Sequence, residues 1–183
     1  MPVTPQDQVA ASYEFAQIAV QYHATGRFAA LNGCIPVAGN LLHHAAEMYL
    51  KCSLVRTIEL PKLKKLGHSL PALWQAFVRQ HPVLASGPIS ASIRELDKFE
   101  QLRYPNVAVA TSYQVSIVQN RAQYAQLPTG PQPPYHLVLE DVDEIASLAA
   151  KSSGLQPNAF AHALRPEPMH YLLVGNMHLA GVA

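Results

Sequence analysis

The fold depends first on residues 36–58, which read PVAGNLLHHAAEMYLKCSLVRTI. At 100° per residue of a helix, apolar side chains cover one broad arc and polar side chains cover the opposite arc. The apolar arc consists of Leu41, Leu42, Ala45, Met48, Tyr49, Cys52 and Val55, and the polar arc of Asn40, His43, His44, Glu47 and Lys51. Leu50 and Leu54 lie beside the polar arc, so we expect neighbouring elements to cover this helix on more than one side.

Further helices are predicted around this one. In the first, Thr4 is the N-cap, Pro5 takes the first helical position, Asp7 lies in the first turn, and Gly26 is the expected end. The others are predicted at residues 69–82, 90–103 and 140–153. The fold class is therefore all-α, an up-and-down bundle of four to five helices.

The chain is predicted to divide into a bundle over residues 1–153 and a C-terminal extension over residues 154–183 that packs on it. A Pro-rich connector at about 105–135 precedes the last helix of the bundle. Residues 107–118 are β-branched and small enough to be extended, and for residues 107–134 an ordered hairpin and a loop both stay open. Two features of the less regular extension are a short helix at 158–164 and an apolar stretch at 171–174.

The composition argues against several classes of function. The 183 residues carry a formal net charge of +1, which disfavours a strongly basic nucleic-acid coat and an acidic tail. Only 14% of residues are charged, against roughly 25% in ordinary soluble domains, so we expect a partner subunit to cover some surface. The chain has neither an apolar run of about 18 residues nor signal-peptide features at residues 1–7, so we expect a cytoplasmic protein. Cys34 and Cys52 are expected to be reduced thiols in apolar surroundings.

The polar arc carries the sharpest chemical signal. His43, Glu47 and Lys51 are spaced i, i+4 and i+8, so their side chains stack along one strip. A His and a Glu at this spacing can share a divalent metal, and a Glu between His and Lys can be tuned to carry protons. The spacing is more typical of an exposed Glu–Lys pair, which contributes about 0.2–0.5 kcal/mol, so a structural or interface role is the favoured interpretation. Because no third ligand follows at a recognisable spacing, we predict no metal site and no cofactor.

A basic cluster lies between the helix of residues 36–58 and the next predicted helix. It consists of Arg56, Lys62, Lys64, Lys65 and His68, most of them in a predicted linker at 61–67. Such a cluster can neutralise the phosphates of RNA or of a nucleotide. A solvated loop has the same composition, however, and no aromatic residue lies between the lysines to stack on a base.

Three segments occur in an order that resembles a known family. They are residues 44–51 (HAAEMYLK), 66–73 (LGHSLPAL) and 102–105 (LRYP). Together with the first helix they resemble the HEPN superfamily, the higher eukaryotes and prokaryotes nucleotide-binding domains, over roughly residues 4–153. The resemblance implies a helical bundle that is often dimeric. It also implies either metal-free RNA cleavage or a binding role, for instance beside a small nucleotidyltransferase in a toxin–antitoxin pair.

The resemblance does not extend to the catalytic motif. Ribonucleases of this superfamily carry an Arg and, after four to six residues, a His at the dimer interface. The pair at that spacing here is Arg165 and His170, and Pro166 and Pro168 between them are expected to prevent a continuous helix. No His follows Arg103 at the expected distance, so no catalytic role is carried over.

We therefore predict a non-catalytic HEPN-like protein that binds a nucleotide, an RNA or a partner protein. The expected partners are a second copy of the chain or a nucleotidyltransferase-type protein of a toxin–antitoxin or defence pair. The candidate groove consists of His43, His44, Glu47, Lys51, His68, Arg103 and Tyr104, and the basic patch beside it consists of Arg56, Lys62, Lys64 and Lys65.

Two alternatives stay open. In a divergent ribonuclease, His43, His44 or His68 is the general base on the 2′-hydroxyl, and Arg103 stabilises the charge of the phosphorane. In a purely structural dimerisation module, one face of the bundle is buried against another chain.

Overall fold

The computed structural model describes residues 4–35, 37–82, 87–103, 114–127, 133–155, 160 and 163–179. Most of these residues are helical, which confirms the predicted all-α class. The helices are α1 (Pro5–Leu31), α2 (Val37–Leu54), α3 (Leu60–Lys65), α4 (Leu70–Gln80), α5 (Gly87–Lys98), α6 (Arg121–Ala125), α7 (Leu139–Ser153) and α8 (Pro166–Leu173), with a 3-10 turn at Phe99–Arg103 and strands β1 (Val115–Val118) and β2 (Tyr135–Val138). Among the described helices, none is both long and apolar enough to cross a bilayer.

Helix α2 lies at the centre of the core. Helix α1 packs along it, and α4, α5, α7 and the 3-10 turn also contact it. Leu50 and Leu54 are fully buried, which confirms that this helix is covered on more than one side. The 3-10 turn approaches so closely that a Cβ on Gly39 would lie 1.8 Å from a ring carbon of Phe99. Only glycine fits at this contact.

Helix α1 does not end at Gly26, so that prediction is wrong. The helix continues to Leu31 and is capped by the backbone N–H of Asn32. Gly26 instead lies at the contact with α2, where a Cβ would come within 2.8 Å of the Leu42 side chain. The glycine permits two helices to approach each other. At its start α1 is capped by Thr4 as predicted, and Asp7 completes a capping box with it.

The region between α2 and α5 differs from the prediction in one element. The expected linker at 61–67 contains the short helix α3, which begins after Glu59 and has Pro61 in its first turn. Ser69 caps α4 as predicted.

The predicted helix at 90–103 is divided into α5 and the 3-10 turn, and Tyr104 lies outside the described residues.

The connector contains a small parallel sheet that the sequence did not predict as such. Strand β1 pairs with β2 in the register Val115 to Tyr135 through Val118 to Val138. Part of the stretch 107–118 is therefore extended, but its partner is a parallel strand and the two do not form a hairpin. Residues 104–113 and 128–132 lie outside the described part of the chain.

The C-terminal extension packs on the bundle through α8. Arg165 is the N-cap of this helix, and Pro166 and Pro168 lie in its first turn, where a backbone N–H has no intrahelical partner to lose. The prediction that these prolines prevent a helix between Arg165 and His170 is therefore wrong. Leu172 of α8 is buried in the same core as α1 and α2. The predicted helix at 158–164 lies mostly outside the described residues.

Candidate functional site

The polar arc of α2 faces inward. Glu47 and His43 are fully buried, and Lys51 is 9% exposed. An exposed Glu–Lys pair on a solvated helix face is therefore the wrong interpretation of this spacing. The arc is covered by α5, by the 3-10 turn and by the loop before α4, which supply the partners described next.

Three side chains, those of His44, Lys51 and His68, meet at the buried carboxylate of Glu47. We call these four residues the Glu47 cluster. Glu47 Oε1 accepts hydrogen bonds from Lys51 Nζ at 2.6 Å and from His68 Nδ1 at 2.9 Å. Glu47 Oε2 accepts one from His44 Nδ1 at 3.2 Å. An ionised carboxylate can only accept, so both imidazoles present an N–H at Nδ1.

His68 reaches the cluster because of the loop that carries it. Gly67 has a φ of +64°, a left-handed conformation that turns the chain before α4. The Ser69 side chain accepts from the N–H of Ala72, so Ser69 is the cap of α4. His68 is therefore free of a capping role. Its side chain is 66% exposed although Nδ1 is held by Glu47.

The surroundings of Glu47 favour its charged form. Burial alone would raise the pKa of this carboxyl, but the hydrogen bonds from His44 and Lys51 and the charges of Lys51 and His68 lower it to about 2. Glu47 is thus a permanently ionised group at neutral pH. It fixes the positions of two imidazoles and one ammonium group.

His43 lies on the other side of His44 and faces the 3-10 turn. Its Nδ1 donates to the backbone carbonyl of Leu96 at 3.3 Å, and its Nε2 lies 3.7 Å from Oε2 of Glu100. Burial lowers the pKa of His43, which favours the neutral ring. Arg103 donates to Glu100 Oε1 at 2.6 Å. Arg103 is therefore linked to the predicted groove residue His43 only indirectly, through Glu100, among the contacts described here.

Three of these residues form a set of candidate metal ligands. One donor atom from each of His43, His44 and Glu47 lies within 4.8 Å of the other two. The sequence analysis identified no third ligand because His43 and His44 are adjacent, and adjacent side chains lie about 100° apart on a helix. Glu47 is four residues after one and three after the other, so it lies between them.

A cavity opens beside Lys51, and we call it the Lys51 cavity. Its volume is about 450 Å³, and it is lined by Phe15, Lys51, Leu60, Pro61, Leu63 and Lys64. The absence of an aromatic residue among the lysines was an argument against nucleotide binding. The structure brings Phe15 of α1 to the two lysines, a contact between distant positions that local sequence does not reveal.

The basic patch is only partly brought together. Lys64 lines the Lys51 cavity, whereas Lys62 pairs with Glu59 at 3.2 Å on the opposite flank of α3. Lys65 is exposed at the end of α3, and Arg56 is half-buried in the turn after α2. Tyr104, the remaining predicted groove residue, lies outside the described residues.

A second buried polar network was missed by the sequence analysis. Asp143 of α7 accepts hydrogen bonds from His23 Nε2 at 2.9 Å and from Arg27 Nη1 at 2.5 Å, and all three side chains are buried. Arg27 also donates to the backbone carbonyls of Tyr171 and Val174. The network joins α1, α7 and the end of α8, which is a structural role. In the sequence, this network is indicated only by the spacing of His23 and Arg27, which lie one turn apart on α1.

A second cavity, of about 300 Å³, lies beside the small sheet. Its lining includes Arg121, Tyr124, His136 and Asp141. Arg121 donates from Nε to Asp141 at 2.7 Å and also donates to Glu144. Carboxylates of the protein thus already compensate its charge, and the described lining has no unpaired cation like Lys64 of the Lys51 cavity, so this cavity is the weaker candidate for an anionic ligand.

The two thiols differ in environment. Cys52 is buried, and burial raises the pKa of its thiol, as expected for an unreactive core cysteine. Cys34 is exposed in the turn after α1, so the prediction of apolar surroundings is wrong for this residue. Both cysteines are free thiols.

Comparison with known proteins returned no match to a family model, to a curated protein or to a solved structure.

The ionised state of Glu47 predicts a specific dependence of stability on pH. A carboxyl whose pKa is about 2 in the folded state and 4.5 when unfolded stabilises the fold above pH 4.5. This contribution is lost as the pH falls toward 2 and corresponds to about 3 kcal/mol. We expect Glu47→Gln to lower the free energy of unfolding by about that amount at pH 7 and by much less near pH 2. Urea denaturation at a series of pH values measures the difference.

Glu59→Gln is the matched control, because Glu59 forms an exposed ion pair with Lys62. Its effect on the free energy of unfolding should stay within about 0.5 kcal/mol at every pH. A Glu47→Gln deficit that is equally large at pH 2 and pH 7 would contradict an ionised, stabilised Glu47.

Proposed function

We propose that the protein binds the phosphate and base of a nucleotide, free or within RNA, in the Lys51 cavity, and that it has no catalysis of its own. The single observation that carries the proposal is the meeting of two lysines and one phenylalanine at one open cavity. A nucleotide combines an anionic phosphate with a flat aromatic base, and the cavity offers a complementary group for each.

The phosphate side of the proposal rests on Lys64 and Lys51. Lys64 is exposed, and no carboxylate among the described residues pairs with it, so its charge is available to a phosphate. Lys51 is anchored by Glu47 Oε1 and presents a fixed ammonium group at the cavity wall. A pre-positioned donor loses less conformational entropy on binding than a free lysine side chain.

The base side rests on Phe15 of α1. Its side chain is half-buried, so one part packs on the core while the rest lines the cavity. Every base has an aromatic face, so stacking on Phe15 would be tolerant of sequence. Leu60 and Pro61 add apolar surface at the same wall.

The resemblance to the HEPN superfamily supports the same class of ligand. From it we also propose that the chain works in the cytoplasm as a homodimer or beside a nucleotidyltransferase-type partner of a toxin–antitoxin or defence pair. Val9 and Tyr13 of α1 are 43% and 36% exposed and lie one helical turn apart, so they offer apolar contact area to such a partner.

Binding is measured by fluorescence anisotropy with a labelled ten-nucleotide single-stranded RNA, with AMP and ATP as competitors. We expect Lys64→Glu to weaken binding about tenfold and to reduce its salt dependence. Phe15→Leu keeps the apolar packing and removes the stacking face. It should weaken binding about fivefold or more, because stacking on one base is worth about 1–3 kcal/mol.

Lys151→Glu is the matched control, since it makes the same charge change at an exposed position near the end of α7. It should leave the affinity nearly unchanged. Competition by AMP or ATP would identify a mononucleotide ligand, and binding of RNA alone would identify RNA. Equal losses in Lys64→Glu and Lys151→Glu, or no loss in either, would contradict binding in the Lys51 cavity.

The contact between Glu47 and His68 favours a second candidate, a metal-independent ribonuclease. Glu47 holds His68 by Nδ1, and the ring is largely exposed, so Nε2 is the nitrogen left for a proton from outside. A carboxylate that orients a histidine in this way is a common arrangement for a general base. Full burial of His43 removes it as a direct base, and His44 is 20% exposed.

In this second candidate, His68 Nε2 would take the proton of a ribose 2′-hydroxyl. The 2′-oxygen would then attack the adjacent phosphorus, the bond to the 5′-oxygen would break, and that oxygen would take a proton from water. Two cations, Lys51 and Arg103, would stabilise the negative charge that develops on the phosphorane. Arg103 has the role that was expected for it from the sequence.

Cleavage of a labelled RNA in the presence of EDTA tests this candidate. A ribonuclease of this kind predicts cleavage that stops at a 2′-deoxy substitution and falls about a hundredfold or more in His68→Ala. His170→Ala removes an exposed histidine of α8 and should leave cleavage unchanged. Absence of cleavage by the wild type would eliminate the candidate and leave the binding function.

A further inference from the structure

Beside the Glu47 cluster lies a buried contact between His43 and Glu100 that the proposed function does not use. His43 is fully buried, and because the Leu96 carbonyl can only accept, the hydrogen between them belongs to Nδ1. In the neutral ring, Nε2 then presents a lone pair. Among the described residues no hydrogen-bond partner reaches this nitrogen.

The atom that faces this lone pair is also an acceptor. Oε2 of Glu100 lies 3.7 Å from His43 Nε2 and is likewise buried without a hydrogen-bond partner in the described part of the chain. Two buried acceptors that face each other cost free energy unless a hydrogen or a metal cation lies between them. Arg103 is bonded to the other oxygen, Oε1.

The spacing of the surrounding donor atoms suits one small cation. Two ligands on a tetrahedral ion with bonds of about 2.0–2.1 Å lie about 3.4 Å apart. His44 Nδ1 and Glu47 Oε2 are 3.2 Å apart, and the pair of His43 and Glu100 is 3.7 Å apart. The donor atoms of His43, His44 and Glu47 lie within 4.8 Å of one another, so rotamer changes that shorten the longest separation by about 1.4 Å would give tetrahedral spacing.

We propose that His43, His44 and Glu47 bind one first-row transition-metal dication, with Glu100 as the fourth ligand, and that Zn²⁺ fits this set best. Two imidazoles and two carboxylates form a donor set typical of zinc, whereas Mg²⁺ and Ca²⁺ prefer oxygen ligands alone. The ion takes the place of the hydrogen that His44 Nδ1 donates to Glu47, and the neutral ring then carries its proton on Nε2.

The outer contacts of the ligands are those of a metal site. The Nδ1–H of His43 is held by a backbone carbonyl, which fixes the ring with Nε2 toward the ion. Lys51 and His68 hold Glu47 by Oε1 and leave Oε2 to the ion. The carboxylates of Glu47 and Glu100 offset the charges of Lys51 and Arg103, so the dication enters a set that is neutral overall.

The site is tested with protein freed of metal by a chelator and titrated with Zn²⁺ and with Co²⁺. We expect one Zn²⁺ per chain, and a Co²⁺ complex with the strong visible absorption of a tetrahedral site. His44→Ala should weaken Zn²⁺ binding at least tenfold and abolish that absorption. Should this variant fail to fold, Glu100→Gln, a change at a partly exposed residue, is expected to weaken binding about tenfold.

His170→Ala is the matched control for adventitious binding by a surface histidine and should change nothing. No saturable binding of Zn²⁺, or binding that both His44→Ala and Glu100→Gln leave unchanged, would overturn the proposal. The metal ligands differ from Lys64 and Phe15, so the proposed nucleotide binding and the metal site fail or hold independently.

Discussion

A single buried negative charge, on Glu47, is the constraint on which the site depends. An ionised carboxylate in a protein interior is costly unless cations and hydrogen-bond donors replace the water it has lost. Lys51 supplies a cation from the same helix, and His68 reaches the carboxylate from the loop before α4. The loop, the centre of α2 and the wall of the Lys51 cavity are thereby held in one arrangement.

The helices could be predicted from sequence because caps, prolines and apolar spacing are local signals. Thr4, Ser69 and the acidic start of α7 each identified a helix close to its observed beginning. The failures are at positions where packing decides. Gly26 resembles a helix end by residue type, yet it lies inside α1 because α2 approaches there. Pro168 is tolerated because it lies in a first turn.

The sequence predicted which residues form most of the candidate site, but it did not predict how buried they are. Five members of the predicted groove (His43, His44, Glu47, Lys51 and His68) do come together, but the sequence could not show that the polar arc of α2 faces inward. Amphipathic spacing separates polar from apolar side chains and does not reveal whether another element covers the polar side. Phe15 and Glu100 come from other elements, so only the fold shows their contacts.

The central claim is that the Glu47 carboxylate fixes His44 and His68 through Nδ1, and NMR of the histidine side-chain nitrogens tests it most directly. In protein freed of metal, at a pH where the rings are neutral, we expect both to carry the proton on Nδ1, against the Nε2–H form that imidazole prefers in water. Glu47→Gln should release both to the Nε2–H form, whereas His43, held by the Leu96 carbonyl, keeps Nδ1–H. Nε2–H forms of His44 and His68 in the metal-free wild type would contradict the account.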